Sequence, residues 1–260
     1  MSKINIKKIN KVIAAYDSTR EKLIDCGDIE QFKKTYSKKF DIQNQNTGSY
    51  WDDIFIEEKT LAFQSPMTKD KIKTIAENLS KKPISILDIG IGQGFLEEIL
   101  MVNNRNYKIY GIDISPHSIK RAKQLFKGKF TVGDVTSLER YYPKNSFNTV
   151  VALELFEHIN PSQLFKLYQN IHSLLKKNGK LILSIPINEH LDKMVSNPSA
   201  HVRNYMPKII KAELEQNNFV IEKEYYFSAF NSKYLLKKLV SKILDRWEKN
   251  SMVVIARKAD

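Results

Sequence analysis

The amino-acid sequence predicts an α/β protein with a doubly wound, mainly parallel sheet. Three observations predict it: short β-branched apolar runs begin after Pro83, helical segments separate the first five runs, and the first run stops at a glycine-rich turn. Strands that alternate with helices form βαβ units, whose right-handed crossovers place helices on both faces of the sheet. The length of 260 residues is enough for one such domain with an appendage.

The composition is that of a globular protein with an excess of positive charge. Hydrophobic residues make up 42% of the chain, which excludes a disordered protein, and no apolar run is long enough to cross a bilayer. Cys26 is the only cysteine, which excludes an intrachain disulfide and a cysteine-based zinc site and suits a cytoplasmic location. The net charge of +13 permits nucleic-acid binding, but the lysines are spread along the whole chain and favour solvated faces.

Residues 1–80 are predicted to form a helical cap segment that precedes a ligand-binding domain over residues 81–260. The first part shows helical periodicity without strand alternation, and Ser65 and Pro66 open one of its helices. The second part contains the strands of the sheet. These strands are predicted at residues 84–89, 108–112, 129–132, 147–153, 180–185, 220–227 and 252–256.

The first strand ends in a glycine-rich turn with the sequence Asp88-Ile-Gly90-Ile-Gly92-Gln-Gly94. Three glycines at alternate positions let the backbone turn sharply and approach a bound group closely. A helix is predicted to follow from Leu96, so that its N-terminal N–H groups point at the same place. Asp88 precedes the glycines and can organise the turn or meet a cation. The turn therefore predicts a ligand site at the carboxyl ends of the strands.

Acidic residues follow the next three strands as well. Asp113 follows the second strand, where a carboxylate can accept hydrogen bonds from both hydroxyls of a ribose. Asp134 follows the third strand and could accept a hydrogen bond from an adenine amino group, and Glu154 follows the fourth. Each residue alone suits a helix cap, but four consecutive acidic strand ends are difficult to explain as caps only.

This set of motifs resembles the class I S-adenosylmethionine-dependent methyltransferases. The resemblance covers residues 83–226 and rests on Ile86-Leu-Asp-Ile-Gly-Ile-Gly-Gln-Gly94, on the two aspartates after the second and third strands, and on the fourth- and fifth-strand segments. It implies methyl transfer from S-adenosylmethionine on a seven-stranded, Rossmann-like sheet whose last strand is antiparallel. The cofactor-binding residues that it implies are Asp88, Gly90, Gly92, Gly94, Asp113, Ile114, Asp134, Val135 and Glu154.

The segment Glu154-Leu-Phe-Glu157-His158 is similar to the Glu-x-x-Glu-His segment of ubiquinone-pathway O-methyltransferases. It is also similar to the small-RNA terminal 2′-O-methyltransferases, where it supplies metal ligands. On a helix that starts near Glu154, positions 154, 157 and 158 share one face, and His201 is the predicted fourth ligand of Mg²⁺ or Mn²⁺. Alternatively, the glutamates and the histidine of this segment only line the pocket or cap the helix, and without a metal His158 or His201 acts directly as the general base. The predicted catalytic residues are His158, His201 and Glu154.

Three functions remain open at this point. The favoured one is O-methylation of a small molecule, such as a quinone precursor, a glycan intermediate or a secondary metabolite. The second is RNA 2′-O-methylation, which requires lysines around the pocket and salt-sensitive binding. The third is a non-catalytic module that keeps the fold and the cofactor. The oligomeric state cannot be read from the sequence.

Two segments outside the cofactor motifs bear on the substrate. Tyr50, Trp51 and Phe55 either close over the cofactor or form a core under the N-terminal helices. Residues 233–247 form a predicted basic amphipathic helix. Its leucines could lie on an anionic membrane, but such a stripe more often packs on the sheet of its own protein.

Overall fold

The fold is that of one mixed sheet covered by helices. A computed structural model describes residues 46–57, 65–102, 106–189, 200–230, 232–244 and 247–259. The predictions that fall on residues 1–45, Cys26 among them, and on residues 190–199 lie outside the described residues. Within the described ranges, no helix has both the length and the apolar character needed to cross a membrane.

The sheet has the strand order β3-β2-β1-β4-β5-β7-β6 within the described residues. The strands are β1 (Ser85–Ile89), β2 (Lys108–Asp113), β3 (Lys129–Val132), β4 (Phe147–Leu153), β5 (Leu175–Pro186), β6 (Phe219–Phe227) and β7 (Ser251–Lys258). Strands β1 to β5 pair in parallel, whereas β7 runs antiparallel to both of its neighbours. The predicted seven-stranded sheet with an antiparallel last strand is confirmed.

Helices connect most of the strands, and four of them begin with proline in the first turn, where a missing N–H costs no hydrogen bond. The helices of the described ranges are α1 (Gly48–Glu57), α2 (Pro66–Asn78), α3 (Phe95–Val102), α4 (Pro116–Leu125), α5 (Pro161–Leu174), α6 (Pro207–Gln216) and α7 (Tyr234–Leu244). Short 3₁₀ segments follow β3 and β4, at Val135–Arg140 and Phe156–His158.

Strand β1 lies at the centre of the parallel part, paired with β2 on one side and β4 on the other. The chain order reverses between β1 and β4, which is the switch point where ligands bind in such sheets. The predicted strand boundaries agree closely, except that β5 begins at Leu175 because this residue pairs with Phe147 across a register shift. The carboxyl ends of β1 to β5 therefore form one continuous edge.

Successive strand residues point to two cores on opposite faces of the sheet, as strand geometry requires. Ile86 belongs to the core shared with α2, α3 and α4, and its neighbour Leu87 belongs to the core shared with α5 and α6. In β5, Ile182 belongs to the first of these cores and Leu181 to the second. Helices cover both faces of the sheet, so a ligand has access only to the edge where the carboxyl ends of the strands meet the loops.

Candidate active site

The glycine-rich turn after β1 has the left-handed backbone that favours glycine. Gly90, Gly92 and Gly94 have φ values of 76°, 54° and 80°. The amide of Gly90 donates to the carbonyl oxygen of Ile112 at 2.8 Å, which ties the turn to β2. Helix α3 begins directly after the turn, so its first amides lie beside it.

Asp113 holds this turn from the end of β2. Its Oδ2 accepts a hydrogen bond from Gly92 N at 2.8 Å, and its Oδ1 accepts one from Ser115 N at 2.8 Å. The residue is buried; burial raises the pKa of the Asp113 carboxyl, and the two amides partly oppose that shift. Each carboxylate oxygen has two lone pairs, so each can accept one further hydrogen bond, as the predicted ribose contact requires.

The predicted adenine side lies at the ends of β2 and β3, which are neighbours in the sheet. Asp134 is exposed, and its Oδ1 caps the following 3₁₀ segment by accepting from Thr136 N at 2.8 Å. Ile114 is exposed and Val135 is buried. A carboxylate and two apolar side chains therefore follow these adjacent strand ends, which suits a purine ring with an exocyclic amine.

Two buried carboxyl groups lie beneath the glycine turn. Asp88 of β1 and Glu97 of α3 are both buried, and no N–H or O–H group of the described residues donates to either oxygen of Glu97. Burial and then repulsion from Glu97 raise the pKa of Asp88, while burial raises the pKa of Glu97 to about 7. Burial thus favours the protonated, uncharged form of both carboxyls. This placement favours the turn-organising role of Asp88.

Glu154 directly follows β4 and has a left-handed backbone, with a φ of 47°. Its carboxylate accepts hydrogen bonds from the buried Lys71 Nζ at 3.0 Å and from Ser184 Oγ. A left-handed residue does not continue into a right-handed helix, and the next turn is the 3₁₀ segment Phe156–His158. The predicted helix from Glu154 is therefore wrong, and its side chain is directed to Lys71 rather than to the face of Glu157.

The other three predicted metal ligands lie together. Glu157, His158 and His201 each offer a ligand atom, and these atoms are within 4.8 Å of one another. The ring centroids of His158 and His201 are 4.8 Å apart, and His158 Nε2 lies 4.0 Å from Glu157 Oε1. Glu154 is not part of this group, because its carboxylate is bound to Lys71. The predicted set of four ligands is thus reduced to three among the described residues.

Burial opposes charge on two members of this cluster. Burial, and then the neighbouring His201, lower the pKa of His158 to about 3, so its imidazole is neutral at ordinary pH. Burial and then repulsion from Glu154 raise the pKa of Glu157 well above its usual range. Neither oxygen of Glu157 accepts a hydrogen bond from the described residues. A buried carboxyl in this situation stays protonated unless a cation joins it.

Glu189 is a site residue that the sequence interpretation missed. Its Oε2 lies 2.8 Å from His201 Nδ1, and both side chains are largely buried. Glu189 follows β5 closely, so the search for acidic residues at strand ends would have found it at the fifth strand. With Nδ1–H donating to this carboxylate, the lone pair of the imidazole is on Nε2.

Residues 46–57 lie across the ligand edge. The indole of Trp51 meets His158 edge-on, with ring centroids 4.7 Å apart. Phe55 lies over the glycine turn, where a β-carbon added to Gly92 would be 3.5 Å from its ring. Asp52 fixes α1 to the start of α4, because its Oδ1 accepts from a backbone amide there at 3.0 Å. Of the two interpretations of these aromatics, this placement favours closure over the cofactor turn.

A buried ion pair anchors the loop that carries His201. Arg203 of this loop and Glu213 of α6 are in contact and almost fully buried. Tyr168 OH donates to Glu213 Oε2 at 3.2 Å, and Arg203 Nη1 donates to Tyr205 OH at 3.3 Å. Such hydrogen bonds are what allows a buried ion pair to offset the cost of leaving water.

The comparison with known families agrees with this arrangement. The sequence model of a family described as a methyltransferase domain matches residues 86–179. The match runs from β1 into β5 and therefore includes the glycine turn, Asp113, Asp134 and the segment 154–158. The chain contains a methyltransferase domain.

Three curated relatives of this methyltransferase domain act on different substrates, according to their names. The chain is 27% identical over 175 residues to a tRNA(Thr) (cytosine(32)-N(3))-methyltransferase of Saccharomyces cerevisiae, covering 59% of this chain and 27% of that protein. It is 27% identical over 201 residues to the cyclopropane-fatty-acyl-phospholipid synthase of Escherichia coli, covering 75% and 50%. It is 32% identical over 127 residues to a ubiquinone biosynthesis O-methyltransferase of Pelagibacter ubique, covering 44% and 51%. The chain thus spans about half the length of these relatives or less.

Solved structures share the fold. The crystal structure of an S-adenosylmethionine-dependent methyltransferase from Archaeoglobus fulgidus superposes with a TM-score of 0.62 at 19% identity, covering 80% of this chain and all of that one. This likeness shows a common architecture. The family match and the relatives together support S-adenosylmethionine-dependent methyl transfer as the chemistry of the methyltransferase domain.

Proposed function

We propose that this chain transfers a methyl group from S-adenosylmethionine to a hydroxyl oxygen of a small molecule. One observation carries the choice of a hydroxyl: the His201 imidazole is held by Glu189 at 2.8 Å and contacts His158 at the ligand edge. A hydroxyl is a weak nucleophile until a base accepts its proton, and this pair is a base oriented by a carboxylate. The sequence similarity to a ubiquinone biosynthesis O-methyltransferase, at 32% identity over 127 residues, also supports an oxygen atom as the methyl acceptor.

The residues present fit the cofactor. Asp113 and Asp134 offer carboxylates to a ribose and an adenine amine, and the glycine turn allows close approach of the backbone. The Lys71–Glu154 pair offers one charge of each sign, which matches the zwitterionic amino-acid end of the cofactor. When bound, S-adenosylmethionine supplies a methyl group that is already activated on a sulfonium. The protein then has two tasks, which are to align the acceptor and to take its proton.

His201 is the proposed general base, and the role of His158 becomes one of positioning. The pKa of His158 is lowered to about 3, so this imidazole is a poor proton acceptor near neutral pH. Glu154 is not suited to the base role either, because its carboxylate is bound by Lys71 and Ser184. Nε2 of His201 takes the proton of the substrate hydroxyl, and the Glu189 carboxylate stabilises the resulting imidazolium.

A metal at Glu157, His158 and His201 stays a prediction. The three side chains fit Mg²⁺ or Mn²⁺ in donor type, and the unpartnered oxygens of Glu157 would be satisfied by a cation. Titration of the purified, chelator-treated chain with Mn²⁺ by calorimetry tests this directly. Saturable binding that Glu157→Gln abolishes would support the metal, and an absence of binding together with chelator-insensitive activity would remove it.

The experiment that tests the proposed function follows labelled methyl from S-adenosylmethionine into a fractionated extract. The expected result is label in a small-molecule fraction. For the acceptor so found, His201→Gln should lower turnover by roughly 10²–10⁴-fold with unchanged S-adenosylhomocysteine affinity. His172→Gln is the matched control, because His172 packs on Phe219 at the start of β6, away from the ligand edge at the carboxyl ends of the strands. Equal turnover of both variants would refute the assignment of the base.

RNA methylation is the second candidate, because one relative is a tRNA methyltransferase and the chain has a net charge of +13. It predicts label in a nuclease-sensitive fraction and binding that weakens steeply with salt. The non-catalytic alternative predicts S-adenosylhomocysteine binding with no label in any fraction.

A further inference from the structure

Helix α7 is attached to the protein by its polar side. Tyr234 OH donates to Asp70 Oδ2 of α2 at 2.9 Å, and Lys238 Nζ donates to the same oxygen at 2.5 Å. Ser241 lies on the same side and is buried. Positions 234, 238 and 241 are spaced by four and three residues, so they form one face of the helix. This face is directed inwards.

The opposite side of α7 carries a leucine stripe, which consists of Leu235, Leu236, Leu239, Ile243 and Leu244. All five side chains are exposed, and Leu235 and Ile243 reach 79% and 75%. A helix on the surface of a globular protein normally has the reverse orientation, with its apolar stripe towards the core. The more common placement considered for this stripe, on the protein's own sheet, is wrong. The reason is that the inward face is occupied by the polar contacts to Asp70.

The chain around the leucine stripe is basic. Residues 228–247 contain five lysines and arginines and a single acidic residue, Asp245. Lys237 Nζ lies 5.9 Å from the ring centre of Phe230, which in turn meets Trp247 edge-on at 5.6 Å between centroids. Exposed leucines flanked by lysines and by an amphipathic aromatic pair are the features of helices that lie in the interface of an anionic bilayer.

We propose that α7 docks on an anionic phospholipid surface, with the leucine stripe in the boundary between headgroups and acyl chains. Charge complementarity selects this partner, since an acidic lipid surface attracts the basic segment while the acyl chains cover the stripe. Docking through α7 determines where the protein works and does not depend on which atom is methylated.

A cavity of about 420 Å³ lies between the end of β6 and α7, on the inward side of the helix. Tyr234, Lys238 and Ser241 line it, so it faces away from the leucine stripe and takes no part in the proposed contact with lipid. Asp70 and Lys71 are neighbours on α2, so the residue that holds α7 adjoins the residue that reaches Glu154 in the candidate active site. A surface bound by α7 therefore lies near the helix that reaches the methyl-transfer edge.

Flotation of the full chain with phosphatidylglycerol–phosphatidylcholine vesicles tests the proposal. The wild type should float with these vesicles and bind pure phosphatidylcholine vesicles at least roughly tenfold more weakly. Leu239→Gln and Ile243→Gln should each weaken binding to the anionic vesicles roughly tenfold, because each removes one apolar side chain that the bilayer would bury. Leu125→Gln on α4 is the matched control, because Leu125 is also exposed but lies on another helix, and its binding should equal that of the wild type.

Three results would overturn the proposal. The first is a wild type that does not float with anionic vesicles. The second is equal binding by Leu239→Gln, Ile243→Gln and Leu125→Gln. The third is a dimer in solution that the α7 variants convert to monomers, because the stripe would then be covered by a second copy. None of these measurements requires turnover, so a failure here and a failure of the proposed methyl transfer are distinguishable.

Discussion

Replacement of Asp113 by asparagine separates the two tasks of this residue. Its two oxygens each accept one backbone amide at 2.8 Å, from Gly92 and from Ser115. An asparagine side chain has one oxygen and one NH₂ group, so one of these amides would face a second donor. The variant therefore loses one bond that shapes the turn and, in addition, a charged acceptor for the ribose hydroxyls.

The magnitude follows from these bonds. A hydrogen bond to a charged group contributes about 1.5–3 kcal/mol, and an unsatisfied buried donor costs about 1–3 kcal/mol. Asp113→Asn keeps one neutral ribose bond, so the cofactor should lose about 2–4 kcal/mol of binding free energy, or roughly 30- to 1000-fold in affinity. The assay is calorimetric titration with S-adenosylhomocysteine, combined with thermal denaturation to establish that the variant is folded.

Asp134→Asn is the matched control for this prediction. Its amide oxygen can still accept from Thr136 N and from an adenine amine, and asparagine caps helices as well as aspartate does. Its affinity should fall by less than about tenfold. A folded Asp113→Asn chain whose affinity stays within about threefold of the wild type would refute the ribose assignment.

Two further predictions concern the supports of the site. Burial raises the pKa of Glu97 in the folded state from 4.5 to about 7, so the stability that its protonated form contributes is complete below about pH 4.5 and is lost as the pH rises through 7. Urea unfolding should therefore show a loss of at least about 3 kcal/mol between about pH 5 and about pH 9, and Glu97→Gln should reduce this loss to the part that comes from the raised pKa of Asp88. A wild type with equal stability at both pH values would contradict the burial argument. Glu213→Ala should lower the free energy of unfolding by about 3–5 kcal/mol, because it leaves the buried Arg203 guanidinium without its partner; a change below about 1 kcal/mol would show that the ion pair does not anchor the His201 loop.

The strands and the cofactor edge could be predicted from the sequence because their signals are local. β-branched runs, glycines at alternate positions and acidic residues directly after strands need no knowledge of distant contacts. The carboxyl ends of parallel strands meet at one edge, so local signals at separate places converge on one site. The same reasoning could have identified Glu189, which lies in the loop just beyond the end of β5 at Pro186.

The roles of the Glu154–His158 segment and of α7 were decided by contacts between residues far apart in sequence. Helical spacing placed Glu154 with Glu157, but the left-handed backbone at Glu154 and the amine of Lys71 turn its carboxylate away. Periodicity identified the leucine stripe, but only the bonds of Tyr234 and Lys238 to Asp70 show that it faces outwards.

The sequence by itself determined the α/β sheet and the acidic residues at the predicted cofactor edge, and the resemblance of its motifs to a known family implied the antiparallel last strand. The tertiary structure alone decided which of the predicted ligands come together, which histidine has a carboxylate beside its Nδ1 atom, and which side of α7 is exposed. The physical reason is that periodicity specifies that a residue belongs to a face, whereas burial, pKa and orientation depend on partners that folding brings from distant parts of the chain.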